Sequence, residues 1–172
     1  MINTERLSIR RVAASDWRAI QTVWAEVKKT EYAQYDRPTE LSDAAVRQRI
    51  AKWGAFAESP EHIFFAVCLG HALIGYVAFH QRESGFELGY CFHPDFWGKG
   101  YAKESISALL KELRSQGRAA CVSAGTALNN TPSVSLLLSL GFRQVGSEKV
   151  SFYKDRQGNE LFFDGGIFEL RL

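Results

Sequence analysis

At 172 residues, 46% of them apolar and 23% charged, the chain has the size and composition of one soluble domain with a full core. A formal net charge of +2 excludes the strongly basic field that a nucleic-acid or membrane-surface partner calls for. Three cysteines, Cys68, Cys91 and Cys121, each inside an apolar run and without CxxC or metal-ligand spacing, exclude a disulfide framework and a metal site.

The first strand is expected over residues 6–12, where alternation is weak. Ser15 or Asp16 then caps a helix that runs to about residue 28, with Trp17, Ile20, Val23, Trp24 and Val27 on one stripe. Residues 30–41 are polar, contain Tyr32, Tyr35 and Pro38, and read as a loop. A second helix begins near Ser42-Asp43 and carries Val46, Ile50 and Trp53. The aromatic groups of these helices and their loop suit either ordinary packing or a wall facing a substrate.

Residues 62–69 are a near-continuous apolar run, which suits a strand covered on both faces. Gly70-His71 turns the chain into a strand over residues 72–80, and Ser84-Gly85 turns it again. In the next strand Leu88, Tyr90 and Phe92 alternate with Glu87, Gly89 and Cys91, and Pro94 ends the ladder. These strands make an antiparallel meander. From Gly100 the period changes: Ile106, Leu109, Leu110 and Leu113 lie at i, i+3, i+4 and i+7, one face of a helix closed by Gln116-Gly117. Residues 119–124 form a short apolar strand, parallel to the one before the helix. Asn129-Asn130-Thr131-Pro132-Ser133 starts a last helix with Val134, Leu137 and Leu138 buried, ended by Gly141-Phe142. Residues 143–153 and 160–172 are two final strands joined by a turn at 155–159.

Between the central strand and its helix lies Trp97-Gly98-Lys99-Gly100-Tyr101-Ala102. A glycine turn opening a helix presents unpaired N–H groups at the positive end of the helix dipole, which suits phosphate oxygens. The same two glycines also suit a plain tight turn. A Walker loop is excluded because Gly100 follows Lys99, and a dinucleotide fingerprint because Lys103 stands where the third glycine belongs. Residues 1–95 carry 11 basic and 12 acidic side chains, whereas residues 96–172 carry 10 and 7, so the positive excess lies in the half with this turn.

With Asn130-x-x-Ser133, Leu140-Gly141-Phe142 and this order of elements, the chain resembles the GNAT superfamily of acyl-CoA-dependent N-acyltransferases. Thr4-Glu5-Arg6-Leu7-x-Ile9-Arg10 and Gly98-Lys99-Gly100-Tyr101-Ala102-Lys103-Glu104 look most like its RimJ/RimL-type branch. The resemblance implies an α/β fold: a mostly antiparallel sheet of about seven strands with one splayed parallel pair, flanked by about four helices. It implies one acetyltransferase domain over residues 1–172. The donor would be acetyl-CoA, its pyrophosphate held by N–H groups of Trp97, Gly98, Lys99, Gly100, Tyr101 and Ala102. Trp97 departs from the family's Gln or Arg in that slot. The pantetheine arm would lie along the central strand, giving Cys91, Phe92 and His93 main-chain contacts, with Asn130 beside it. A strand N–H would polarise the acyl carbonyl.

The family's thiolate-protonating Tyr is replaced here by Leu137, and Ser133 is the substitute that the resemblance offers. Glu87 on the central strand is the candidate base, with Glu104 its rival. Each has an ordinary alternative: Asn130 as a helix cap, Ser133 as a first-turn serine, Glu87 as an exposed carboxylate. The expected reaction is direct attack by a primary amine, a protein N-terminus or a small molecule, in a ternary complex. The alternative is a non-catalytic acyl-CoA-binding sensor of the same fold. Free thiols and the lack of an apolar leader place the chain in the cytoplasm, with no nucleic-acid or membrane partner; a homodimer is left open.

Overall fold

The computed structural model describes residues 1–56 and 61–172. Its strands are β1 (Ile2–Asn3), β2 (Ser8–Arg11), β3 (His62–Leu69), β4 (Ala72–Arg82), β5 (Gly85–Phe92), β6 (Cys121–Ala127), β7 (Arg143–Lys154) and β8 (Glu160–Arg171). Its helices are α1 (Trp17–Val27), α2 (Asp43–Ala55), α3 (Tyr101–Ser115) and α4 (Thr131–Ser139). The strands form one sheet in the order β1-β2-β3-β4-β5-β6-β8-β7. β5 and β6 are its parallel pair and the other neighbours are antiparallel. The strand beyond the expected seven is β1, two residues long and thus too short to show an alternation.

The period-two and period-3.6 patterns decide which residues are covered. Ile106, Leu109, Leu110 and Leu113 turn the apolar stripe of α3 onto Val77, Phe79, Leu88 and Phe92 of one sheet face. Each such side chain contributes about 1.5–3 kcal/mol when fully buried. On the other face Ile20 of α1 and Val46 and Ile50 of α2 cover Phe64, Ala66 and Ala78. Trp53 stacks on Phe64 with ring centroids 4.2 Å apart, and Trp24 meets Trp53 edge-on at 5.6 Å. The tryptophans of the early helices are therefore packing residues, and the aromatic wall is left to the loop between the helices.

Three local expectations change. Leu138, read as part of the buried stripe of α4, is 53% exposed, and only Leu137 of that helix is fully buried. Asp16 does not cap α1 with its side chain. Its carboxylate turns back and accepts from Arg10 Nη1 (2.7 Å), Arg10 Nη2 (2.8 Å) and the Ala13 N–H (2.8 Å). Burial works against its charge, but the Arg10 and Ala13 bonds outweigh burial and hold the carboxyl below its ordinary range. The strand expected over 119–124 starts at Cys121 and extends to Ala127. Its length is set by pairing with β8, from Cys121↔Arg171 to Ala127↔Gly165, rather than by its own apolar run.

The feature that positions the site is the parallel pair. β5 and β6 are joined at Phe86↔Val122 and Glu87↔Ser123, then part. Beyond Glu87, β5 continues to Phe92 paired only with β4, while β6 continues paired with β8. Gly85 fixes the closed end. Its φ is +145°, and a Cβ there would lie 2.0 Å from the Cys121 carbonyl oxygen, so only glycine lets the strands start this close.

Candidate active site

Which main-chain groups face the gap follows from the ladder. The His93 N–H donates to the Ile74 carbonyl at 2.9 Å, and the β4–β5 register is continuous from there. In an antiparallel pair the hydrogen-bonded residues alternate. Cys91, Gly89 and Glu87 therefore also spend their main-chain groups on β4, and those of Phe92, Tyr90 and Leu88 point towards β6. Of the three residues expected to offer main-chain contacts, Phe92 faces the gap and Cys91 and His93 do not. The Phe92 carbonyl accepts from the Trp97 indole N–H at 2.7 Å, which leaves its N–H on the gap side.

The same alternation sorts the side chains. Leu88, Tyr90 and Phe92 lie on the α3 face, and Tyr90 reaches across the gap to α4, with its hydroxyl 2.6 Å from Ser133 Oγ. Burial pushes the Tyr90 phenol up to about 12, against a smaller opposing pull from Ser133, so it stays protonated at neutral pH, and either hydroxyl of the pair can donate to the other. Sequence reasoning missed Tyr90. Its signal was a tyrosine at a core-facing position of the central strand, beside a family tyrosine slot filled by Leu137. That leucine is fully buried. Asn130 Oδ1 accepts from the Ser133 N–H at 3.3 Å, so it caps α4 and orients Ser133 at once.

At the mouth of the gap, the His93 ring accepts from the Asp95 N–H at 3.2 Å and Pro94–Phe96 make a single 3-10 turn. Gly98 and Gly100 have φ of +69° and +81°. Gly100 is the N-cap of α3 and provides no side-chain cap, so the first-turn N–H groups point outward without an intrahelical acceptor. The turn is clamped from behind. Arg6 Nη1 donates to the Lys99 carbonyl (3.0 Å), and its Nε donates to Glu104 Oε2 (2.7 Å). The Arg6 N–H and the Thr4 hydroxyl donate to Glu104 Oε1. Burial opposes the Glu104 charge, but Thr4 and Arg6 outweigh it and hold the carboxyl below its ordinary range. Glu104, the rival base, is thus engaged in the clamp.

On the opposite face Glu87, Gly89 and Cys91 stand beside His80, Ala78 and Tyr76 of β4. Ala78 is covered by α1 and α2, whereas Gly89 is partly open: a Cβ on it would find its nearest neighbour, the Ala78 Cβ, at 3.9 Å. At one end Glu87 is half-exposed and ion-paired, with Arg82 Nε donating to Oε2 at 2.8 Å. His80 is 3.1 Å from His62 between Nδ1 atoms. Burial, then His62, hold His80 below the ordinary imidazole range. At the other end Trp24 Nε1 donates to the Tyr76 hydroxyl at 3.1 Å. Burial raises Tyr76 and pushes Cys91 up to about 12, so Cys91 is no thiolate nucleophile. Two hollows, about 250 and 420 Å³, lie at the far end of the sheet, and none of the predicted site residues lines them.

A family model described as an acetyltransferase (GNAT) domain matches residues 6–143. An uncharacterized N-acetyltransferase of Bacillus licheniformis, p20, is 27% identical over 148 residues, 83% of this chain and 82% of that one. Among solved structures, a GNAT-family acetyltransferase from Bacillus anthracis superposes with a TM-score of 0.78 at 25% identity, covering 99% of this chain and 97% of that one. RimL, a ribosomal L7/L12 α-N-protein acetyltransferase, shares the fold with a TM-score of 0.83 at 16% identity over 98% and 92% of the two chains. A family match over most of the chain, on a fold with one parting parallel pair and a glycine turn at its mouth, leads to one conclusion: the protein belongs to the GNAT acetyltransferases, enzymes that take their acetyl group from acetyl-CoA.

Proposed function

We propose that residues 1–172 form one N-acetyltransferase domain that moves the acetyl group of acetyl-CoA directly to a primary amine in a ternary complex. The observation that carries the reading is the gap between β5 and β6, with a glycine turn at its mouth and donors along one wall. N–H groups of the turn from Gly98 to Ala102 would hold the diphosphate; the Trp97 N–H, expected among them, donates instead to the Pro94 carbonyl at 3.0 Å. The arm would pair with main-chain groups of Phe92 and Tyr90, as an added strand does, with the Asn130 amide beside it. An N–H on this edge would sit over the thioester oxygen as its charge develops. Cys91 and His93 spend their main-chain groups on β4 and on the turn after β5, so the arm's contacts pass to Phe92 and Tyr90.

The amine arrives over Gly89, from the face that carries Glu87. As its nitrogen bonds to the carbonyl carbon, Glu87 takes a proton from it through water. As the C–S bond breaks, the sulfur receives a proton from the Tyr90–Ser133 pair. A thiol of ordinary pKa near 8.5 needs little such help, so Leu137 in the family's tyrosine slot does not disable the site. An ammonium has no lone pair to attack with, and at pH 7 neutrality costs an α-amino group about 1.2 kcal/mol and a lysine about 4.6 kcal/mol. That difference favours an α-amine acceptor, a protein N-terminus or a small molecule, and supports the RimJ/RimL-type reading. Free thiols at Cys68, Cys91 and Cys121 suit the cytoplasm.

The test is release of CoA thiol from acetyl-CoA over peptides, polyamines and aminoglycosides. Turnover of at least one amine is expected. Tight CoA binding without turnover on the whole panel would replace the enzyme by the sensor.

A further inference from the structure

The hollow of about 250 Å³ at the far end of the sheet lies under the C-terminal half of α3, against β2 and β3. Ile9, Ile63 and Leu113 close its floor and are themselves buried. Met1, 90% exposed, stands at its rim, so the hollow opens to solvent. Arg11, the last residue of β2, lines one side. Its register partner on β3 is Phe65, and the Arg11 Cζ lies 4.8 Å from the centroid of that ring. Arg118 lines the other side. Its N–H donates to the Leu113 carbonyl at 3.2 Å, which turns the chain back towards the hollow after α3 ends.

An arginine fork carries five N–H donors and keeps its charge in proteins. No hydrogen bond or ion pair among the described residues engages the Arg11 guanidinium, and its Nη1 is shut off from solvent as well. Its neighbour in sequence shows the contrast: Arg10 gives both Nη atoms to Asp16. A buried donor without an acceptor is costly, and a charged one more so. The face of Phe65 offsets part of that cost but fixes no N–H direction. Arg118 adds to the cost: burial, then the Arg118 charge, hold the Arg11 guanidinium below its ordinary range. The acidic side chain that lines the hollow is Glu112. It is exposed, accepts from Gln116 Nε2 at 2.5 Å, and makes no ion pair with Arg11.

We propose that this hollow binds a small oxyanion, a carboxylate or a phosphate, between the side chains of Arg11 and Arg118. Two oxygens on one centre match paired N–H groups of an arginine fork. The buried floor beneath keeps the local dielectric low, which strengthens that attraction. The volume lies below the range of about 300–1,000 Å³ that drug-sized ligands occupy, so the ligand is a small one. The 15 residues of α3, about 22 Å of helix, separate this hollow from the glycine turn at the other end of that helix. The inference therefore stands without the N-acetyltransferase reading.

The experiment combines thermal melts and titration calorimetry with sodium phosphate and sodium malonate as probes, at constant ionic strength. Saturating CoA is present throughout to keep the glycine turn occupied. At a Kd of about 1 mM, 50 mM of anion should raise the wild-type Tm by about 5 °C. Arg11→Met keeps much of the stem and removes the fork. Without anion it should melt no lower than wild type, because no unpaired buried charge is left, and its rise with anion should be less than half as large. Arg118→Ala, at an exposed position, should weaken the Kd at least twofold. Binding of malonate alone identifies a carboxylate ligand and binding of phosphate alone a phosphate; either supports the site. No rise in wild type overturns it. So does a rise in Arg11→Met of half the wild-type value or more, which means an adventitious ion only. If Arg11→Met melts lower or does not fold, Arg118→Ala decides in its place: a Kd weaker by twofold or more supports the site, and a smaller change overturns it.

Discussion

Replacing Glu104 by Gln removes one charge from the joint between the N-terminal segment and the glycine turn, and keeps the shape. Gln retains one acceptor oxygen for Thr4 or the Arg6 N–H and loses the partner of the Arg6 guanidinium. A hydrogen bond to a charged group is worth about 1.5–3 kcal/mol when protected. Arg6 is 40% exposed, however, and solvent reduces an exposed pair to about 0–1 kcal/mol. The net expectation is a loss of about 1–2 kcal/mol. For a chain of this length that lowers Tm by about 2–8 °C. The clamp also bonds the Lys99 carbonyl, so part of the loss falls on the order of the turn. CoA affinity should then drop by more than twofold and by at most about 5- to 30-fold, the limit reached if the whole loss fell on the turn. Scanning calorimetry and titration calorimetry with CoA read the two quantities separately. A Tm that falls while CoA affinity stays within twofold would refute the argument that the clamp holds the turn in shape for its ligand.

Three further outcomes are expected. Tyr90→Phe removes the hydroxyl beside Ser133 and should lower kcat by about 10-fold with little change in the KM for acetyl-CoA, read by steady-state kinetics. Ser133→Ala should add little on top of it, because the two act as one unit. Gly85→Ala puts a Cβ against the Cys121 carbonyl at a φ side chains rarely adopt, and should cost about 2–4 kcal/mol in urea unfolding. Asp16→Asn should cost about 2 kcal/mol at pH 7, since it leaves Arg10 without its bidentate partner. The folded Asp16 carboxyl titrates below its unfolded value near 3.9. Its stabilisation is therefore complete above that value and lost as pH falls through the lower folded one. The gap between variant and wild type should close in acid.

Periodicity carried most of the fold. The stripe from Ile106 to Leu113, the run over 62–69 and the glycines at 98 and 100 each depend on neighbours within a few residues, and the elements stand where the pattern put them. What stayed hidden depends on partners distant in the chain. Alternation along β5 tells which face Cys91 takes. Only the register with β4 tells that its N–H points away from the gap while that of Tyr90 points in. The Tyr90–Ser133 contact joins residues 43 apart, and the Arg6–Glu104 clamp joins residues 98 apart. The clamp gives a physical account of the two strings quoted for the RimJ/RimL branch: each supplies one side of it.

Across the parted strands, the sheet's own hydrogen bonding runs through two residue pairs near its base. The meander β1 to β5 and the trio β6, β7 and β8 are thus nearly separate ladders sharing a short seam. A guest lying between them as an extra rung would knit the ladders together, so its affinity and the cooperativity with which the protein melts become two readings of one quantity. Amide exchange along Leu88–Phe92 should then slow in step with the protection of β6, two stretches that touch each other little without it.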